Sequence, residues 1–418
     1  MNRADRTPDR IVIISDFARV RGGASQLALL LAHCLNARNL AVTVFSGDQS
    51  TCGIPADSPT SGLDFAGVAG VTLLEQKKAG AALNGIWNRQ AYTALSKLIS
   101  KSDTPSTIYH VHGFLQTLSP AIFSALVPVR ARVVIHAHDY FLACPNGAFF
   151  DYRSGTECNR KPLSAACAFR HCDKRSYAQK IWRLVRQKVQ NQVAQRVLNE
   201  ARIILLHPAM QPYLERGQWQ SLSSTSVIRN PAQPFLKVSP APHKESTFLF
   251  VGDIHTYKGV FVLAEAARKA QVPLCFAGEG VDRQRLQSEY PEFQFAGWQD
   301  KKGLAALAVR ARAIVVPSLG PEPFGLTLVE AVACGLPVIV SDSALLSSEI
   351  DDVGAGVTFR AGDSDHLAQV LSRVSKDDDL TRRMSEDALA ASSRFGKSSD
   401  EWCDEILNVY SGVLSGKA

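Results

Sequence analysis

Short runs of apolar residues alternate along this chain with longer segments in which apolar residues recur every three or four positions. The short runs predict buried strands and the longer segments predict amphipathic helices. Alternating strands and helices are typical of α/β folds, in which helices cover a parallel sheet. The predicted strands cover residues 10–15, 41–46, 107–111, 132–136, 203–206, 246–252, 272–277, 293–296, 313–316, 338–340 and 355–359. The predicted helices cover residues 24–37, 88–100, 176–198, 259–270, 324–334, 364–374, 380–392 and 398–414.

A proline-rich segment at residues 232–244 divides this pattern into two halves. A chain of 418 residues is long enough for two domains with separate cores. We therefore assign residues 1–237 to a first domain, with a cysteine-rich insertion at about 144–175, and residues 245–397 to a second.

The charge is unevenly shared between the two halves. Residues 1–240 hold 28 Lys and Arg against 14 Asp and Glu, a net charge of +14, whereas residues 241–418 hold 18 against 25, a net charge of −7. Nothing matches a nucleic-acid-binding motif, so an anionic membrane or a lipid-linked substrate is favoured for the basic half. The polar residues 1–10 are unlike a secretory signal, and no apolar run approaches the roughly 20 residues of a membrane-spanning helix. We expect a cytoplasmic protein at the inner face of the membrane.

The helix predicted at 176–198 carries apolar residues at four-residue spacing and basic residues between them. Such a helix can lie on an anionic membrane. The favoured alternative is that its apolar stripe packs on its own domain while the charges stay solvated.

Residues 317–341 give the strongest chemical signal. Glu322 lies in a loop rich in Pro and Gly, and Glu330 lies inside the helix that follows, which Gly335 and Pro337 are placed to end. The first N–H groups of a helix attract phosphate, and carboxylates accept hydrogen bonds from sugar hydroxyls. The stretch therefore predicts a site for a sugar diphosphate, the alternative being a helix that merely has acidic residues near its start.

This stretch resembles the glutamate–seven residues–glutamate motif of the retaining glycosyltransferases of family 4, a family of the glycosyl transferases group 1. The resemblance implies the GT-B fold, in which two Rossmann-like domains with parallel sheets face a central cleft. The terminal helix at 398–418 would cross back to the first domain. Glu322 would contact the transferred sugar and Glu330 the nucleotide ribose, while backbone amides at Phe324, Gly325 and Leu326 would take sugar hydroxyls or phosphate.

Two segments of the first domain also resemble this family. Residues 138–145 read His-Asp-Tyr-Phe-Leu-Ala-Cys-Pro, and the resemblance implies that His138 hydrogen-bonds the reacting sugar. Gly22 and Gly23 stand where the family has a glycine pair after its first strand. They would let the donor diphosphate or the acceptor lie against the backbone, or they only form a turn.

In the second domain, Lys258 matches the family lysine that neutralises the donor diphosphate, but Asp253 stands where an arginine is expected. Either another cation such as Arg229 substitutes, or Asp253 points away. Gly278 and Gly280 form a glycine–acid–glycine turn that lies close to the nucleotide in the family.

Nine cysteines in a chain without a recognisable signal favour free thiols or metal ligands over disulfides. Four of them fall within 29 residues, and they could bind a structural zinc or be scattered thiols. They are Cys144, Cys158, Cys167 and Cys172.

The resemblance implies a retaining enzyme that moves a hexose-type sugar from a UDP- or GDP-sugar to a glycan or lipid-linked acceptor, in cell-surface polysaccharide or lipopolysaccharide synthesis. No catalytic metal and no further cofactor are expected. The alternative, which Asp253 favours, is a non-catalytic nucleotide-sugar sensor or scaffold of the same fold. An epimerase of GT-B fold is disfavoured because its acid/base carboxylates are not recognisable.

Overall fold

The computed structural model describes residues 7–48, 62–73, 75, 78–217, 224–232, 234–236 and 240–416. The predicted linker therefore lies partly outside the described residues. The strands are β1 (Arg10–Ser15), β2 (Ala41–Ser46), β3 (Asp64–Gly67), β4 (Thr107–Val111), β5 (Val133–Ala137), β6 (Phe150–Asp151), β7 (Thr156–Glu157), β8 (Arg202–Leu205), β9 (Thr225–Val227), β10 (Thr247–Val251), β11 (Leu274–Ala277), β12 (Gln294–Gly297), β13 (Ala311–Val316), β14 (Val338–Ser341) and β15 (Gly356–Phe359).

The helices connect these strands and cover their faces. They are α1 (Gly23–Ala37), α2 (Lys78–Ile86), α3 (Arg89–Ser102), α4 (Ala121–Leu126), α5 (Ala165–Phe169), α6 (Tyr177–Leu198), α7 (Met210–Glu215), α8 (Val260–Ala270), α9 (Arg283–Glu289), α10 (Lys301–Ala308), α11 (Leu326–Ala333), α12 (Ser347–Asp352), α13 (Ser364–Lys376), α14 (Asp378–Phe395) and α15 (Ser399–Leu414). Short 3-10 helices cover Val127–Arg132, Pro242–Lys244 and Thr256–Lys258.

Two parallel sheets form the two domains, as predicted. Among the described residues the first sheet has seven strands in the order β3-β2-β1-β4-β5-β8-β9, and the second has six in the order β12-β11-β10-β13-β14-β15. Both sheets reverse their strand order at the first strand of the domain, where α/β folds bind ligands at the carboxyl ends of the strands. Since both sheets are covered on both faces, their strands are apolar almost throughout.

Most predicted elements are found within one to three residues of their predicted bounds. The resemblance also implies a short strand and turn at residues 227–231, and the strand β9 lies slightly earlier, at Thr225–Val227. The strands β3, β6 and β7 and several short helices were not predicted, since short elements at domain edges have too few residues for a period to stand out.

The terminal helix α15 packs on the first domain. Trp402, Ile406 and Tyr410 are fully buried in one apolar cluster with residues of β1 and α1. At its start Ser398 and Glu401 form a capping box, in which each side chain bonds the backbone N–H of the other residue. The helix thus forms part of the core beneath one face of the first sheet.

Helix α6 buries its apolar stripe only toward its end, where Val197 lies in the core and Val193 packs against it. Ile181 and Val185 are 42% and 47% exposed, whereas Gln187 and Gln190 are buried and donate to the backbone carbonyls of Leu142 and Phe141. The helix turns this polar side inward because the loop after β5 offers carbonyl groups that need donors.

An ion pair connects the two domains away from the sheets. Arg229 of the first domain donates to both carboxylate oxygens of Glu349 in the second at 2.7 and 2.8 Å, and His207 contacts the same carboxylate at 2.9 Å. A helix long and apolar enough to cross a membrane is not found among the described residues.

Candidate functional site

A cavity of about 400 Å³ lies between the two domains. The first domain contributes the segment after β5 and part of the insertion, and the second domain contributes the loops after β10 and β13. The predicted residues His138, Lys258 and Glu322 all line it, although they are far apart in sequence. Other lining residues are Asp139, Tyr140, Phe141, Asn146, Gly147, Ala148, Phe150, Tyr152, Asp173, Lys174, Arg183, Tyr257, Ser318, Gly320, Pro321 and Pro323.

Lys258 and Glu322 form an ion pair in this cavity. Lys258 Nζ lies 2.6 Å from Glu322 Oε1, and Ser318 Oγ donates to the other carboxylate oxygen. Desolvation raises the pKa of Glu322, but the Lys258 charge and the two hydrogen bonds outweigh it and hold this pKa below its ordinary value. Desolvation likewise opposes the charged form of Lys258, but Glu322 raises its pKa above the ordinary value. Both side chains are therefore charged at neutral pH.

His138 is half-buried one residue beyond β5, at the first-domain side of the cavity. Its Nε2 lies 2.9 Å from Nδ1 of His112, with which it shares a hydrogen bond. Desolvation lowers the pKa of His138 to about 3, so the imidazole is neutral at pH 7. It can donate or accept a hydrogen bond there but carries no charge.

Helix α11 begins beside the cavity at the predicted phosphate-binding turn. Gly325 precedes the helix with φ 68° and ψ 70°, a left-handed conformation that favours glycine. The helix begins at Leu326 rather than at Phe324 as predicted, and Phe324 is buried beneath the turn. A Cβ added to Gly23 would lie 3.5 Å from Leu326, so the predicted glycine loop of the first domain meets α11 across the cleft.

Glu330 lies one turn into α11 and is not among the residues lining the cavity. Desolvation raises its pKa to about 7, and the charge of Lys301 opposes this only in part. Glu322 and Glu330 therefore occupy different environments, one paired and ionised and the other half-protonated near neutral pH.

Comparison with known proteins finds a family model that matches the second domain. The model of the family described as glycosyl transferases group 1 matches residues 233–390, which include Lys258, Glu322 and all of α11. The second domain therefore resembles the glycosyl transferases of group 1.

Curated relatives match this chain over part of their length. The O-antigen chain mannosyltransferase C of Escherichia coli is 27% identical over 183 residues, which are 42% of this chain and 48% of that protein. The phosphatidyl-myo-inositol mannosyltransferase of Mycobacterium leprae (strain TN) is 31% identical over 187 residues, again 42% and 48% of the two chains. The chain thus spans about half the length of these curated relatives.

Solved structures match the whole fold. The sucrose-phosphate synthase of Thermosynechococcus elongatus has a TM-score of 0.69 at 20% identity, covering 96% of this chain and 98% of that one. HepE of Anabaena in complex with UDP has a TM-score of 0.65 at 15% identity, covering 96% and 100%. The prediction of a GT-B fold is confirmed.

The glycines of the second domain pack against backbone. Gly278 has φ 151°, and an added Cβ would lie 1.9 Å from the carbonyl oxygen of Gly252; at Gly280 it would lie 2.2 Å from that of Ile254. Both positions therefore require glycine for the loops after β10 and β11 to pack, whether or not a nucleotide binds there. Their role toward a donor stays a prediction.

The cation expected to replace the family's missing arginine is not Arg229. Arg229 is held by Glu349 and does not line the cavity. Asp253 is exposed, and Lys174 of the insertion lies near it. Desolvation lowers the pKa of Lys174, and the Asp253 charge opposes this only in part. Lys174 and Arg183 line the cavity, and Arg183 pairs with Asp173 at 2.8 Å. Sequence reasoning missed both residues; the run of basic residues after Cys172 was the available signal.

The four clustered cysteines are buried free thiols. Lys180 Nζ donates to Cys167 Sγ at 3.3 Å, and Asn146 donates to Cys172 Sγ at 3.3 Å. Among the described residues, one group of side chains has potential metal-ligating atoms that all lie within 4.8 Å of one another, and it consists of three histidines. The four cysteines are not part of it. The structural zinc on cysteines stays a prediction.

Asp16, another residue that sequence reasoning missed, lies directly after β1 and is buried. Its carboxylate accepts hydrogen bonds from the backbone N–H groups of Leu115, Gln116 and Thr117 at 2.8–3.0 Å. It thereby fixes the loop after β4 beside the histidines that follow β4 and β5.

Proposed function

We propose that this protein is a group 1 glycosyltransferase that moves a hexose-type sugar from a UDP- or GDP-sugar to a glycan or lipid-linked acceptor, with retention of anomeric configuration. The observation that carries the proposal is the convergence of His138, Lys258 and Glu322 on one interdomain cavity. In a protein of this family such a cavity has the position of a donor site.

The donor diphosphate would bind between Lys258 and the first turn of α11. A lysine ammonium has three donors, so Lys258 can keep Glu322 at 2.6 Å and still contact a phosphate oxygen. The amides of Leu326 and Thr327 have no partner within the helix and would add partial positive charge. These groups would stabilise the negative charge that develops on the leaving phosphate.

Glu322 would hold hydroxyls of the transferred sugar, because its ionised carboxylate accepts hydrogen bonds but has no proton to donate. A residue fixed by Lys258 and Ser318 is also poorly placed to attack the anomeric carbon. Retention would then follow from attack on the face from which the phosphate leaves, with the phosphate taking the acceptor proton. His138, being neutral, would orient the sugar.

The printed names of relatives support this substrate class without fixing the sugar. Two relatives are named for mannosyl transfer, one to O-antigen chains and one to phosphatidyl-myo-inositol. Structures of HepE are described with UDP, glucose and UDP-glucose. These names therefore fix neither the base of the donor nucleotide nor the hexose that is transferred.

The first experiment is a thermal-shift panel of UDP- and GDP-sugars, followed by measurement of nucleotide release with membrane lipid extract. We expect one donor to raise the Tm and to release its nucleotide only when an acceptor is present. Glu322→Gln should retain binding of the nucleotide but lose turnover, and Glu289→Gln, an exposed glutamate of the same domain, serves as the matched control. NMR of the product tests retention, and assay in EDTA tests independence from metal.

A non-catalytic sensor of nucleotide sugars is the second candidate, because the exposed Asp253 replaces the arginine expected in the family. A sensor would show the same thermal shift but no nucleotide release with any acceptor extract. Asp253→Arg would then increase donor affinity without creating turnover.

We also propose that the first domain contacts an anionic membrane. Apolar side chains of neighbouring helices are exposed there, namely Leu83 of α2 and Ile181 and Val185 of α6. Trp182 holds these helices together by donating to the carbonyl of Ala82 at 2.9 Å. Vesicles containing phosphatidylglycerol should co-sediment the protein, and Ile181→Ser/Val185→Ser should abolish this without changing the Tm.

A further inference from the structure

Three histidines of the first domain converge in its interior. His110 lies on β4, His136 lies on the neighbouring β5, and His112 follows β4. Val111 pairs with Ile135, so the residues that follow, His112 and His136, lie at the same level of the sheet. His110 and His112 are two residues apart and share one face. All three side chains are buried, and one nitrogen of each lies within 4.8 Å of one nitrogen of the other two.

The hydrogen bonds of these imidazoles fix which nitrogen is free. His110 Nδ1 lies 2.7 Å from Tyr410 Oη, and His112 Nδ1 lies 2.9 Å from His138 Nε2. His110 Nε2, His112 Nε2 and both nitrogens of His136 are buried without a partner in the described part of the chain. A neutral imidazole with its proton on Nδ1 presents a lone pair at Nε2.

Leaving these polar atoms unpaired in the interior is costly, at about 1–3 kcal/mol for each group. Native proteins satisfy nearly all such groups, so an unexplained cluster indicates a missing partner. A water molecule could serve one or two of them, but three converging lone pairs match a cation that accepts electron pairs.

We propose that His110, His112 and His136 bind one divalent transition-metal ion, with Zn²⁺ as the best match. Imidazole nitrogens are preferred ligands of Zn²⁺, whereas Mg²⁺ and Ca²⁺ require oxygen ligands. Zn–N bonds are about 2.0–2.1 Å long, so the ion would draw the three nitrogens closer together than 4.8 Å.

The surroundings of the three histidines fit a metal site. Ligating histidines usually donate their second nitrogen to a fixed partner, and Tyr410 and His138 are such partners for His110 and His112. A small cavity of about 100 Å³, lined by His112, His136, His138 and Asp16, adjoins the site and leaves room for a water as fourth ligand. The ion would fix β4, β5 and α15 together and hold His138 through His112.

The test measures metal content and affinity rather than activity. Full-length protein stripped with a chelator should rebind one Zn²⁺ per chain in competition with a chromophoric chelator, and its Tm should rise. His136→Gln should reduce the affinity at least 100-fold, whereas His243→Gln, whose histidine lies in the 3-10 helix between the two domains, should bind as the natural protein does.

The clustered cysteines are the competing location, and Co²⁺ distinguishes the two. Bound to three histidines, Co²⁺ gives visible d–d bands without the thiolate charge-transfer band that cysteine ligands produce. We expect this spectrum in the natural protein and unchanged stoichiometry in Cys167→Ser. Because it uses the natural protein, this measurement stands even if His136→Gln fails to fold. The proposal would be overturned if the stripped protein bound no Zn²⁺, or if the Co²⁺ spectrum showed only a thiolate charge-transfer band. It would also be overturned if His136→Gln bound Zn²⁺ with unchanged affinity.

Discussion

Replacing Lys258 by methionine tests the centre of the site, because it removes the charge and keeps most of the length of the side chain. Two unit charges 2.6 Å apart attract by about 6 kcal/mol at an effective dielectric constant of about 20. Desolvation offsets most of that attraction, and breaking a buried pair costs about 3–5 kcal/mol. Since the two side chains are still 22% and 18% exposed, we expect Lys258→Met to lower the free energy of unfolding by about 2 kcal/mol.

The same substitution should lower the rate of nucleotide release much more than stability alone would explain. Losing one preorganised group that stabilises a developing anion costs about 10²–10³-fold in kcat. Adding Glu322→Gln to Lys258→Met removes the unpaired carboxylate, so the double variant should regain most of the lost stability. It should not regain activity, because the charge that faces the phosphate is still missing.

Urea unfolding and initial rates of UDP or GDP release measure the two effects. Lys269→Met, which changes an exposed lysine of α8 in the same domain, is the matched control and should leave the rate unchanged. If the double variant recovered activity together with stability, Lys258 would act only as the partner of Glu322, and its proposed role toward the diphosphate would be refuted.

Further predictions concern stability. The raised pKa of Glu330 means that the native state binds more protons than the unfolded state between pH 4.5 and about 7, so stability should fall with rising pH in that range, by at most about 3 kcal/mol. In Glu330→Gln, urea unfolding across this range should show a flatter profile, and an unchanged profile would contradict the raised pKa. Gly325→Ala should lower the free energy of unfolding in urea by about 1–2 kcal/mol, because Gly325 has a left-handed φ of 68°. Gly362 has a similar φ of 78° in an open surface turn, so Gly362→Ala measures the cost of the backbone conformation alone. Trp402→Ala should cost about 3–5 kcal/mol and lower the Tm of the first domain, since the side chain is fully buried; a loss below about 1 kcal/mol would show that α15 is not part of that core.

The sequence was sufficient to predict the fold, because the fold depends on local patterns. Buried strands of parallel sheets are apolar throughout, and glycine, proline and paired glutamates mark the turn before α11. His138, Lys258 and Glu322 each follow a strand, so the fold alone brings them to one edge of the cleft.

What the sequence could not reveal depends on contacts between distant segments. Lys174 reaches the cavity only because the insertion folds over it, and Arg229 is unavailable only because Glu349 lies opposite it. The inward side of α6 was mispredicted because periodicity counts apolar residues and cannot include the carbonyl groups that Gln187 and Gln190 satisfy. Among the histidines at the ends of β4 and β5 only His138 was assigned a role, since the register that brings His112 and His136 to one level is set by the folded sheet.

Helix α15 has a consequence for how the chain acquires its structure. His110 and Tyr410 are 300 residues apart in sequence and 2.7 Å apart in the molecule. During synthesis the first domain emerges long before α15, so the apolar residues that α15 covers stay exposed while the second domain is made. Such long-range closure slows folding and exposes the nascent chain to aggregation. Residues 1–237 produced alone should therefore be insoluble, and adding the α15 segment as a separate peptide should restore solubility.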